Sequence, residues 1–268
     1  MKCESSQLAE ATAIDRKMTT AVFIPVRLDS TRLPQKALRE IAGKPALQYL
    51  IERLKLAQSP DLIVICTTTE PGDAPLQSLA DAAGVELFRG DKDDLLARFH
   101  AAAEHYQVGL IINVDGDDLL VDPEQVDAVA QLLKDSGADF ITCEGLPFGA
   151  AAIGIRAEAL ASVCARKSQT DTATGWGAFF ANDASVKTRT LVIDDPELRH
   201  PEIRMTLDYE EDFQFFSAVF AELARQGKPN RLREALALIT SRPDIQALNS
   251  GLDEKYWAHF HSQAAPSN

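Results

Sequence analysis

Thr19-Thr-Ala-Val-Phe-Ile-Pro-Val-Arg-Leu-Asp-Ser-Thr-Arg-Leu-Pro-Gln-Lys36 changes character halfway along its length. Thr19–Val26 is a short β-branched, apolar run suited to a buried strand. After Val26 the chain becomes a loop rich in Arg, Asp, Ser and Pro, and beyond it the apolar residues of Leu47–Leu56 recur at helical spacing. Strand, loop and helix therefore come in that order. The order repeats: Asp61–Thr68 precedes a helical Ala74–Ala83, Val85–Phe88 precedes Leu95–Tyr106, and Gly109–Val114 precedes Pro123–Lys134. Strands alternating with helices imply parallel crossovers, so a three-layer, doubly wound α/β sheet is expected. Ligands of such sheets sit outside the carboxyl ends of the strands, which puts the loops after Val26, Thr68 and Val114 on one rim.

From Asp139 the pattern shifts to shorter β-like pieces, Phe140–Cys143, Ala152–Ile155 and Lys187–Val192, which suit a mixed extension of the sheet over a second ligand. Asp212–Ala224 reads as an amphipathic helix, and Leu232–Ile239 and Asp253–His261 as terminal helical pieces. Met1–Met18 has weak apolar periodicity and is expected to be a flexible leader. The expected organisation is a leader over 1–18, a principal domain over 19–225, and a C-terminal helical extension over 226–268.

Composition narrows the function classes. With 268 residues, 46% of them hydrophobic, the chain can bury one large core without disulfides. A net charge of −13 argues against a nucleic-acid partner, which needs a basic face, but permits a small anionic ligand where cations are focused locally. No run approaches the roughly 20 apolar residues that cross a bilayer, so no membrane partner is expected. The four cysteines show no C-x-x-C spacing, and Cys66 and Cys143 lie in apolar runs as buried thiols do, so a reducing, cytoplasmic setting is expected. The histidines are scattered without ligand spacing, which argues against zinc.

The loop after the first strand carries Arg27, Arg32 and Lys36 around the hydroxyls of Ser30 and Thr31. A triphosphate bears about four negative charges and is held by backbone N–H groups, point charges and forked guanidinium groups, which these residue types supply. Neither a Walker A loop nor G-x-G-x-x-G occurs, which weakens ATPase and dinucleotide-dehydrogenase readings. A solvated basic loop pairing with nearby acids is the plainer alternative. Asp115-Gly-Asp-Asp-Leu-Leu-Val-Asp-Pro123 comes directly after the Gly109–Val114 strand, where a carboxylate is placed to hold Mg²⁺ against phosphate oxygens, or simply to form an acidic turn. In Arg204-Met-Thr-Leu-Asp208-Tyr-Glu-Glu-Asp212-Phe213, Thr206 or Asp208 could cap the next helix.

Together these segments resemble the CMP-sugar-acid synthetases, especially the 3-deoxy-manno-octulosonate cytidylyltransferases and the spore-coat-polysaccharide type. Arg27, Ser30, Arg32, Pro34 and Lys36 match the first-loop pattern [IL]-P-A-R-x-x-S-x-R-[LF]-P-x-K, and Gly43-Lys44-Pro45 matches the family's G-K-P. The resemblance implies a nucleotide-diphospho-sugar transferase (GT-A-like) fold and transfer of CMP from Mg·CTP to a sugar acid or related acceptor, with release of pyrophosphate. It implies that Pro25, Val26, Arg27, Ser30, Arg32 and Lys36 surround the nucleotide, with Arg27, Arg32 and Lys36 acting on its phosphates. It further implies nucleotide contacts from Thr67 and Thr68 at the end of the second strand and from Arg89 in Phe88–Arg98, while Asp115, where relatives often carry Gln or Thr, is read as a neighbour of the nucleotide. Asp117 and Asp208 are the implied Mg²⁺ ligands, and Asp212 is left as structural.

Relatives dimerise through the acceptor-side segment, here about 140–205, so a homodimer is expected. The acceptor half departs from the pattern: Pro147-Phe-Gly149-Ala-Ala-Ala-Ile153 lacks both acids of P-x-G-x-D-x-E, and Gln169–Trp176 lacks the E-H pair. Trp176 is read either as an acceptor-stacking or as a turn-packing aromatic. Two alternatives stay open: use of another nucleoside triphosphate, and a catalytically silent nucleotide-binding protein.

Overall fold

The computed structural model describes residues 19–263, and the leader expected over 1–18 lies outside them. Its strands are β1 (Thr20–Pro25), β2 (Glu40–Ile41), β3 (Lys44–Pro45), β4 (Leu62–Thr68), β5 (Glu86–Gly90), β6 (Leu110–Asn113), β7 (Phe140–Glu144), β8 (Ile153–Arg156) and β9 (Thr188–Val192). Its helices are α1 (Ala46–Leu54), α2 (Pro75–Ala83), α3 (Leu95–His105), α4 (Pro123–Asp135), α5 (Ala157–Arg166), α6 (Ala178–Ala181), α7 (Glu210–Arg225), α8 (Leu232–Ser241), α9 (Pro243–Gln246) and α10 (Leu252–Gln263).

The TAVFIP run sits at the middle of the sheet because it is apolar on both faces. Val22 and Ile24 pack into one core and Ala21 and Phe23 into the other, the period-2 alternation of a strand covered on both sides. β1 pairs in parallel with β4 and β6, and the seven-stranded order is β5-β4-β1-β6-β8-β7-β9. β8 alone runs against its neighbours β6 and β7, while β9 pairs in parallel with β7 at the edge. One core takes Leu47 and Leu50 of α1, Leu76 of α2, Val126 and Val129 of α4 and Phe215 and Phe216 of α7. The other takes Leu96 and Phe99 of α3, Leu160 and Val163 of α5 and Phe180 of α6. The result is the expected three-layer mixed α/β arrangement.

Three features were not legible in the sequence. Ala157–Arg166, inside the segment read as short β pieces, is a helix that buries Ala159, Leu160 and Val163. Between the first loop and α1, β2 and β3 form an antiparallel pair turned at Ala42 and Gly43, both at positive φ. The residues read as a C-terminal extension do not stand apart: Leu232, Leu236 and Ile239 of α8 and Ile245 of α9 join the same core as α7. α10 then returns across the carboxyl rim.

Candidate functional site

A cleft of about 580 Å³ opens at that rim, bounded by the loops after β1 and β6, the Thr206–Asp208 segment and α10. The first loop is tied down at its start. Val26 donates its N–H to the Cys66 carbonyl at 3.2 Å, and Leu28 donates to the buried Asp73 carboxylate at 2.8 Å. Gln35 adopts a left-handed conformation (φ 52°), after which Lys36–Leu38 form a single 3₁₀ turn. Lys36, at the head of that turn, extends its Nζ to carboxylates from two distant parts of the chain.

The loop after β6 approaches β1 closely. Gly116 donates its N–H to the Pro25 carbonyl, and a Cβ at this position would lie 2.4 Å from Val26 Cγ2 and 3.0 Å from Pro25 O. Only glycine fits here without displacement, so the flanking acids lie directly against the first loop. Carboxylate oxygens of Asp115, Asp117 and Asp118 lie within 4.8 Å of one another. The Asp117 carbonyl accepts the N–H of Leu207, which brings the Arg204–Asp208 segment alongside.

The ion pairs close the arrangement. Lys36 Nζ is 2.5 Å from Asp117 Oδ2 and 3.0 Å from Asp208 Oδ1, and Arg32 Nη2 is 2.6 Å from the same Asp208 oxygen. Arg204, 4% exposed, holds Asp208 from behind at 3.0 Å and Asp212 at 2.9 Å. Asp212 is fully buried and accepts the backbone N–H groups of Asp208 and Tyr209 and the side-chain amide of Asn249. It therefore fixes the turn that presents Asp208.

Burial pushes the Lys36 ammonium down, but Asp117 and Asp208 outweigh it and hold the group above the ordinary lysine range. Burial also works against the Asp208 carboxylate, yet Lys36 and Arg32 keep it below its ordinary value. Asp115 is pushed up to about 6 by desolvation and by the charge of Asp117. Asp118 goes well above its ordinary value through burial and then through Asp117 and Asp115. The carboxylates after β6 lie close together as hard oxygen donors, a set that fits a divalent cation such as Mg²⁺.

Pro25, Val26, Arg27, Ser30, Arg32, Lys36, Asp115, Asp117 and Asp208 all line the cleft. Thr67, Thr68 and Arg89 are not among its lining residues. Thr67 and Thr68 are buried, and the Thr68 hydroxyl donates to Asp73 at 2.5 Å. The Arg89 guanidinium donates to the carbonyls of Thr68 and Glu70. Arg98, 2% exposed, donates to the carbonyls of Cys66, Asp91 and Lys92 and braces the loop before α3. Trp176 lines the cleft but is 7% exposed, edge-on to Phe99, Phe140 and Phe180.

Sequence reading missed Asp118, Phe148, Tyr256, His259 and Phe260, all of which line the cleft. Asp118 lies inside the Asp115–Pro123 stretch, at a position to which the resemblance gives no role. For the α10 residues the only signal was two aromatics four apart, which says nothing of where the helix docks.

A family model described as Cytidylyltransferase matches residues 21–215. The spore coat polysaccharide biosynthesis protein SpsF of Bacillus subtilis is 26% identical over 227 residues, covering 83% of this chain and 94% of that protein. A 3-deoxy-manno-octulosonate cytidylyltransferase of Aeromonas salmonicida is 34% identical over 130 residues, 47% of this chain and 50% of that one. Among solved structures, a cytidylyltransferase from Leptospira borgpetersenii shares the fold with a TM-score of 0.78 at 22% identity, covering 85% of this chain and 97% of that one. A CMP:2-keto-3-deoxy-manno-octonic acid synthetase in complex with CTP does so with a TM-score of 0.58 at 17% identity, covering 76% and 99%. With the family match running from β1 into α7 and the first-loop cations and β6 acids meeting in one cleft, the chain belongs to the cytidylyltransferase family and is a nucleotidyltransferase.

Proposed function

We propose that this enzyme transfers CMP from CTP to a hydroxyl of a sugar acid or related small acceptor, releasing pyrophosphate, in the cytoplasm and in polysaccharide biosynthesis. The observation that carries the reading is the Lys36 ammonium between Asp117 and Asp208, with Arg32 on the same Asp208 oxygen. This is an arrangement of opposite charges that an incoming triphosphate and cation can enter by exchanging partners. Asp117 and Asp208 would hold Mg²⁺, which supplies charge neutralisation at the phosphates and favours ionisation of the acceptor hydroxyl.

In the reaction, the acceptor oxygen forms a bond to the α-phosphorus while the bond to the β-phosphate oxygen breaks. The displaced pair of electrons leaves on pyrophosphate, and the hydroxyl proton passes to solvent. Arg27, Arg32 and Lys36 bind the phosphate oxygens and stabilise the charge that develops on the leaving group. Pro25, Val26 and Ser30 shape the nucleotide cradle beside them, with Asp115 close by. Arg204 and Asp212 orient Asp208. No covalent intermediate on the protein is required, so the work of the site is positioning and charge neutralisation. The enzyme acts as a homodimer through the 140–205 segment, a reading supported by the exposed edge strand β9.

The test is pyrophosphate release with CTP, GTP, UTP and ATP, each with Mg²⁺ and a panel of sugar acids. Release with CTP is expected, and Lys36→Ala is expected to lower turnover by about 100-fold or more, the scale of losing a charge-stabilising donor. Wild-type turnover in Lys36→Ala, or Mg·CTP binding with no release for any acceptor, overturns the proposal; preference for another triphosphate corrects the donor.

A further inference from the structure

The cleft's outer wall is α10, which lies beyond the stretch matched by the family model. The helix is anchored to the array that holds Asp208. Asp253 lies 3.6 Å from the otherwise unbonded Nη1 of Arg204. The Tyr256 ring lies under the Arg204 guanidinium at 4.9 Å and the Arg32 guanidinium at 5.6 Å. Leu252 is buried at the start of the helix.

Tyr256 and Phe260 are four residues apart and so share a helix face. Their rings lie 6.3 Å apart and 25° from parallel, both remain partly exposed, and both line the cleft. Phe148, 5.0 Å from Tyr256, stands edge-on behind them. Two partly exposed aromatic rings, Phe260 the one of the pair without a guanidinium over it among the described residues, are thereby held at the mouth of a highly charged cleft, where the nucleotide phosphates and a cation do not need them.

We infer that α10 forms the acceptor wall, with Tyr256 and Phe260 as a platform for the apolar C–H face of a pyranose ring. The ring lies flat on the aromatics, as apolar faces do in pockets where a few polar groups set orientation. One hydroxyl then points toward Asp117 and Asp208. The exposed imidazole of His259, on the same stretch of helix, is available to a second hydroxyl. The inference rests on the reading of this cleft as the transfer site, and it makes Tyr256 and Phe260 determinants of acceptor specificity.

Saturation-transfer NMR on the full chain with Mg²⁺ tests it. The spectra are recorded with and without a CTP analogue bearing a methylene between its α- and β-phosphates. The probes are 3-deoxy-manno-octulosonate, glucuronate, methyl β-glucopyranoside and N-acetylglucosamine. Ring C–H signals are expected for at least one pyranose, and Phe260→Ala is expected to weaken its binding about threefold to tenfold, the scale of one aromatic contact. Phe260→Trp is expected to restore binding, while the affinity for the CTP analogue stays unchanged in both variants. Absence of ring signals from every probe, or wild-type sugar affinity in Phe260→Ala, overturns the inference. Sugar binding that depends on Phe260 without binding of the CTP analogue would instead sink the transfer reading alone.

Discussion

At the residue scale the site depends on an arginine that never reaches the cleft. Arg204 is buried, pairs with Asp208 and Asp212 through two separate nitrogens, and lies among the rings of Phe148, Tyr209 and Tyr256. Removing one partner of such a network leaves uncompensated buried charge, at a cost of about 3–5 kcal/mol. Arg204→Ala is therefore expected to lower the unfolding free energy measured in urea by that amount and to reduce pyrophosphate release through loss of Asp208's position. Arg204→Lys should recover little of either, because a single ammonium nitrogen cannot reproduce the fork that sets Nε and Nη2 together on Asp212 while Nη2 also reaches Asp208. Sequence reading placed Asp208 at the site through a motif of ten residues, whereas the role of Arg204 depends on burial that no motif displays.

At the element scale the decisive contact is between the ends of β1 and β6. Adding a methyl group at Gly116 meets Val26 and the Pro25 carbonyl, so the acidic turn must move away from the first loop. Gly116→Ala is expected to cost roughly 1–3 kcal/mol, as overpacking does. It should also diminish the rise in Tm expected when Mg²⁺ is added to the wild type, since ligand binding stabilises by mass action only where the site is intact. Gly72→Ala, where a Cβ meets nothing within 4 Å, is the control expected to leave both unchanged. Equal Mg²⁺ shifts in wild type and Gly116→Ala, measured by calorimetry, would separate the cation from the acidic turn. The alternation of strands and helices was legible here because each parallel crossover writes its own periodicity. α5 was not, because its ten residues AEALASVCAR present only a short apolar stripe between two β segments.

At the scale of the whole molecule, the sheet has two unlike edges. β9 closes one of them with Thr188, Arg189, Thr190 and Val192 exposed, and Val192 is 50% accessible. An unpaired edge that is neither covered nor short invites strand pairing with another chain. Sedimentation is expected to report two chains per particle, and Thr190→Pro, which deletes an edge N–H and disfavours intermolecular pairing, is expected to shift the population toward monomer. A monomeric wild type at micromolar concentration would remove the dimer from the functional reading. Such a dimer leaves the rim free, because the loops after β1 and β6 bound the cleft and β9 lies at the far edge of the sheet.

The sequence by itself determined the layered α/β sheet, the rim at which the cleft opens and the two charged loops that face each other there. Each of these is written in local periodicity or in contiguous spacing, which survive without knowledge of the fold. Tertiary structure alone decided that Lys36 bridges carboxylates 81 and 172 residues away, that Arg89 turns to backbone carbonyls instead of the cleft, and that α10 forms one wall of that cleft. Those outcomes depend on which distant surfaces bury one another, and a helix with two aromatics four residues apart carries no local record of the surface it will meet.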